Sequence, residues 1–168
     1  PVVNAVNETT IQNMATHTDF TGTNMTVAEG DTTRNVDYFE DEDELTAGDI
    51  TKLTSSTVGG YAEDSFTAVD LSNYDYVAFC LNSSRSGNTV KIGMGEIAAT
   101  EHEETITIDT SSQWQKVYWD IRDIPYHERD AITDLRFTNL TASSNVIYAD
   151  NVVGGRYMRN PSGTAITS

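Results

Sequence analysis

Trp114 and Tyr118 lie four positions apart in WQKVYWD, so in an extended backbone both rings stand on one face. Rings held that way stack on the apolar faces of pyranose sugars, while nearby amides and carboxylates bond the hydroxyls. Tyr126 is a third candidate of the same kind, and Tyr61, Tyr74 and Tyr76 also fall on loops or outer faces. The other use of such rings is packing, over hydrophobic edges or between sheets. Covalent chemistry finds less support. His17, His102 and His127 are far apart and outside any H-x-x-x-H or HExxH spacing. Neither a Gly-x-Ser-x-Gly elbow nor a phosphate-cradling glycine loop occurs. Glu96, Glu101, Glu103 and Glu104 offer, on paper, the two carboxylates that glycoside hydrolysis needs. The run EIAATEHEE reads more simply as a polar loop between strands. The expectation is a chain that presents a surface and catalyses nothing.

The elements that must hold those rings follow from composition and period. A chain of 168 residues fits one domain with a core of its own. Ten Lys and Arg against 26 Asp and Glu give a formal charge of -16. Such a surface repels nucleic-acid backbones and anionic membranes alike, and no stretch approaches the roughly 20 apolar residues of a membrane span. Neither nucleic acid binding nor membrane insertion is expected. The single cysteine, Cys80, excludes an internal disulfide and sits in an apolar run, where a buried thiol is the usual outcome. Asn7, Asn24, Asn82 and Asn139 stand in Asn-x-Ser/Thr sequons, which a chain so rich in Thr and Ser also generates by chance.

Short alternating runs recur between turn residues. Val77, Phe79 and Leu81 share one face of 76–82; Val90, Ile92 and Met94 share one face of 89–94. Ile106 and Ile108 follow in 104–109, then Val117, Trp119 and Ile121 opposite Trp114, Lys116 and Tyr118. Leu135 and Phe137, and finally Ile147 and Ala149, complete the inward set. Period-two alternation of this length marks half-buried antiparallel strands. Further strands are expected at 25–28, 34–39, 50–54 and 65–69, and helical turns only in 40–49 and 123–131. The fold class expected is all-β, a two-sheet antiparallel sandwich of jelly-roll type spanning 19–154. Residues 1–18, an arm or irregular first strand, and 155–168, a tail, flank it.

Three stretches carry a family resemblance: VDLSNYDYVAFCL (69–81), WQKVYWDIRDIP (114–125) and AITDLRFTNLTASSNVIYADNV (131–152). In order and spacing the region from 50 to 152 resembles a galactose-binding-like jelly roll. That fold is used by many carbohydrate-binding modules and by phage structural proteins. The resemblance implies a structural calcium ion between the N-terminal segment and the closing strand. It maps the closing-strand aspartate onto Asp150. The usual Phe-Glu pair near the start is replaced by Asp19-Phe20-Thr21, leaving Asp19 as the substitute ligand. The acidic run FEDEDELTAGD (39–49) lacks the spacing of an EF-hand loop and reads as a solvated loop.

Two functions follow. One is a virion or surface-array structural module, a decoration or tail-associated type, with other structural subunits as partners and glycans as a further ligand. It is motivated by a start without signal-peptide character, by the lack of a catalytic constellation and by polar ends able to clasp neighbours. The other is a carbohydrate-binding module of a secreted enzyme or adhesin. Either places the chain on a virion surface or outside the cell.

Overall fold

The structure, a computed structural model, describes residues 8–12, 14, 16–30, 50–141 and 144–157. The strand expected at 34–39 and the turn expected in 40–49 lie outside them. Eleven strands are described: β1 Glu8–Gln12, β2 Thr21–Thr23, β3 Thr26–Glu29, β4 Thr51–Ser55, β5 Tyr61–Val69, β6 Tyr76–Ser83, β7 Asn88–Gly95, β8 His102–Ile108, β9 Trp114–Asp120, β10 Ile132–Asn139 and β11 Asn145–Gly155. Helix among the described residues is confined to two single 3-10 turns, His17–Asp19 and Tyr126–Glu128.

The strands form two antiparallel sheets. One has six strands, in the order β3-β4-β11-β6-β9, with β1 also paired to β11; the other has five, in the order β2-β5-β10-β7-β8. This is the two-sheet sandwich that the alternation calls for. The inward faces meet as expected: Val77, Phe79, Leu81, Trp119, Ile147 and Ala149 from the first sheet face Val90, Ile92, Met94, Leu135 and Phe137 from the second, all buried. Phe79 and Phe137 meet edge to face across the interior with ring centroids 6.2 Å apart. The strand β6 runs through the middle of its sheet and is buried at every residue, which is why YVAFCLN reads as nearly continuous apolar sequence.

Two details set the site. Within the first 18 residues, Glu8–Gln12 pairs with Val152–Gly155, so this segment extends the six-stranded sheet. In β11 the register slips between Asp150 and Val152, where Asn151 takes a left-handed backbone (φ 37°). That bulge shifts the alternation by one. Ile147, Ala149 and Val152 point inward, whereas Tyr148, Asp150 and Val153 point out.

The sandwich is also stapled at one end by amides. Asn88 Nδ2 donates to Ser83 Oγ (2.8 Å) and to Asn145 Oδ1 (2.6 Å), and its Oδ1 accepts from Asn145 Nδ2 (2.7 Å) and Thr141 Oγ1 (2.6 Å). Asn139 Nδ2 donates to the carbonyls of Thr57 and Thr141. These strands belong to both sheets, so the cluster links them through buried, satisfied polar groups.

Candidate functional site

The outward face of the six-stranded sheet gathers the chemistry. Because side chains alternate along each strand, residues paired across strands form rows on one face. The first row runs Trp114, Asn82, Tyr148, Lys52, Ala28, from β9 across β6, β11 and β4 to β3. The next is Lys116, Cys80, Asp150. Then come Tyr118, Ala78, Val153, Thr10, and last Asp120, Tyr76, Gly155, Glu8. At the usual strand spacing Trp114 and Tyr148 stand roughly 10 Å apart, and Trp114 and Tyr118 roughly 13 Å apart along β9.

The rim of this face is open and its floor is closed. Tyr118 is 52% exposed, while Trp114, Lys116 and Lys52 are half-buried. Ala78, Cys80, Asn82, Tyr148 and Asp150 are buried. Asn82 Oδ1 is enclosed and has no hydrogen-bond donor among the described residues. A buried acceptor left in that state costs about 1–3 kcal/mol.

The charged groups are held in place. Lys116 Nζ donates to Glu8 Oε1 at 3.0 Å and lies 5.7 Å from the Tyr118 ring. Tyr76 donates its hydroxyl proton to the same Glu8 oxygen at 3.2 Å. Burial first, then the Glu8 carboxylate, pushes the Tyr76 phenol well above the ordinary range, so it stays a neutral donor. Its ring covers Gly155, where an added Cβ would meet ring carbon at 2.3 Å. It also packs against the rings of Tyr118 and Tyr157, each 5.1 Å away. On the far side of the row, Lys52 Nζ lies 6.0 Å from the Tyr148 ring. Cys80 is buried as expected, but on the outward side of β6 beneath these groups.

The candidates drawn from sequence divide. Trp114 and Tyr118 share the outward face of β9, as the alternation requires. Tyr126 does not join them. It sits in the short turn after β9, 70% exposed, at a separate hollow with Tyr74, Arg122 and Arg129. Asp19 and Asp150 also part. Asp19 is exposed in the turn before β2, close enough to Asp64 to raise its pKa, whereas Asp150 faces outward beside Cys80. The alternation after Ala149 turns Asp150 to that face. Among the described residues no group of three or more His, Cys, Asp or Glu is placed to hold a metal. Of the sequons, Asn82 and Asn139 are buried and Asn24 is exposed; Asn7 is outside the described residues. The sequence did not mark Tyr148 or Asn82 as site residues, although Ile147 and Ala149 facing inward already implied that Tyr148 faces out.

Glu101 spends its carboxylate on the backbone N–H groups of Glu96 and Ile97, and Glu103 pairs with Lys91 at 2.9 Å. The run expected as a polar loop is one only over 96–101, since His102, Glu103 and Glu104 already belong to β8. No described helix is long and apolar enough to cross a membrane.

Comparison with known proteins bears on this face. No family model matches the sequence, and no curated protein matches it. Among solved structures, the fold is similar to a family 11 carbohydrate-binding module from Clostridium thermocellum in complex with a beta-1,3-1,4-mixed-linked tetrasaccharide. The TM-score is 0.63 at 15% identity, covering 93% of this chain and 99% of that one. The family 11 module of a cellulosomal cellulase from the same organism gives 0.62 at 15% identity, covering 94% and 99%. A variant of a family 29 carbohydrate-binding module complexed with mannohexaose gives 0.52 at 16% identity, covering 89% and 91%. The similarity establishes the jelly-roll fold.

Proposed function

We propose that this chain is a non-catalytic carbohydrate-binding module that takes an extended hexose oligosaccharide on the outward face of its six-stranded sheet. The observation that carries the reading is the row Trp114–Asn82–Tyr148, two aromatic residues flanking a buried acceptor without a donor. Stacking on Trp114 and Tyr118 would bind the sugar faces, and Asn82 and the Lys116–Glu8 pair would read hydroxyls. Two of the structural neighbours are complexed with such oligosaccharides, which supports the assignment. So does the use of the Glu96 and Glu101 carboxylates in backbone caps and of Glu103 in an ion pair.

An affinity gel with a panel of soluble polysaccharides tests the reading. At least one neutral hexose polymer should retard the protein. Trp114→Ala should abolish the retardation, and Tyr61→Ala on the opposite sheet should leave it intact. No retardation by any polymer, or retardation indifferent to Trp114→Ala, would refute it.

A further inference from the structure

The hollow beside Tyr126 is distinct from the sheet face in both place and charge. It encloses about 500 Å³ between the turn preceding β6 and the turn following β9, lined by Asn73, Tyr74, Asp75, Arg122, Tyr126 and Arg129. In a chain whose acidic residues outnumber its basic ones 26 to 10, two arginines line this hollow and a third, Arg156, lies against its Tyr74. Arg129 lies 5.0 Å from the Tyr126 ring, Arg156 5.1 Å from Tyr74, and Arg122 5.2 Å from Tyr157.

Arg129 is the unusual one. It is only 3% exposed, its Nη1 donates to the Tyr74 carbonyl at 2.6 Å, and its Nε is enclosed with no acceptor. No carboxylate among the described residues forms an ion pair with it. A guanidinium is always charged, and a buried charge without a counter-ion is costly. The carboxylates nearby are otherwise engaged. Asp120 is gripped by Arg122, and Asp75 accepts the Tyr157 N–H at 2.9 Å. The floor of the hollow therefore holds a buried guanidinium whose Nε has no acceptor and whose charge reaches Asp120 only beyond ion-pair distance, with an exposed ring beside it.

We infer that this hollow is a second sugar subsite, selective for a carboxylate-bearing residue of the hexuronate class. The carboxylate is drawn toward Arg129 and the part of the Arg122 guanidinium that Asp120 does not hold, the pyranose ring lies on Tyr126, and Asn73 bonds a hydroxyl. The sugar part of this inference rests on the carbohydrate-binding reading; the anion part rests on Arg129.

Calorimetric titration of the whole chain with galacturonate and glucuronate oligosaccharides, and with their neutral hexose counterparts, tests it. A uronate oligomer should bind about tenfold or more tightly than its neutral counterpart to this hollow, the ratio falling as salt rises. Arg129→Gln, and Arg122→Gln or Tyr126→Ala at exposed side chains, should each weaken uronate binding, while Tyr61→Ala on the five-stranded sheet leaves it unchanged. The exposed variants keep the test valid if loss of Arg129 unfolds the chain. Uronates that bind no better than neutral sugars, or whose binding survives Arg122→Gln and Tyr126→Ala, would overturn the inference. Uronate binding lost in these variants, with no neutral polymer held by the Trp114 face, would sink the sheet-face reading and leave this one standing.

Discussion

Trp114 and Trp119 belong to the same strand, five residues apart, and face opposite ways: Trp119 is sealed in the core at 5% exposure, and Trp114 stands half-buried on the outward face. An odd separation in an extended backbone puts the two rings on opposite faces. The chain's only two tryptophans thus report separately on stability and on the candidate site.

Trp119→Ala is expected to cost about 3–5 kcal/mol, the usual loss for emptying a buried large aromatic site. Urea unfolding followed by circular dichroism measures it. A loss below about 1 kcal/mol would mean the faces of β9 are inverted.

Much of this was legible beforehand, and the parts that were not have physical causes. Val77, Phe79 and Leu81 show the period of two because one side of each pair meets the core. The outward set was harder to read. Cys80 sits among apolar neighbours and looked like core, but β6 is central in its sheet and covered on both faces. Asp150 faces Cys80 because alternation continues up to it, and the bulge at Asn151 then resets the pattern, a break that residue types alone do not announce. Rows across strands depend on register, which long-range pairing sets. Asn82 and Tyr148, 66 positions apart by subtraction, become neighbours only through the β6–β11 ladder.

Asn88→Ala should destabilise the end of the sandwich by removing the centre of its amide cluster. Asn145 Oδ1 loses its donor, while Ser83 Oγ keeps the Arg85 N–H and Thr141 Oγ1 the Thr89 N–H; a buried group left unpaired costs about 1–3 kcal/mol. Thermal unfolding would show it, and a midpoint unchanged from the parent would mean that water replaces the lost bonds.

Asp64 gives a pH signature. Burial raises its pKa above 3.8, and the bond from Gln12 Nε2 (2.5 Å) only partly offsets this. The folded state thus holds the proton more tightly than the unfolded state. Its contribution to stability is fully present below pH 3.8 and declines as pH rises through the higher folded value. Asp64→Asn should remove that declining component from a stability profile taken between pH 3 and 7. An identical slope in the variant would contradict the assignment.

Cys80 should be inert in the folded protein. Burial, reinforced by the Asp150 charge and opposed by Lys116, pushes its thiol up to about 12. A disulfide-exchange reagent should label it only in denaturant. Rapid labelling of the native chain would show that the floor of the outward face opens to solvent.

The most direct test of sugar binding on that face follows the two indole N–H signals in a nitrogen-15 correlation spectrum during titration with a neutral hexose tetrasaccharide. The Trp114 signal should move in proportion to occupancy while the Trp119 signal stays nearly still. Binding that leaves Trp114 unmoved would place the ligand elsewhere and contradict the account.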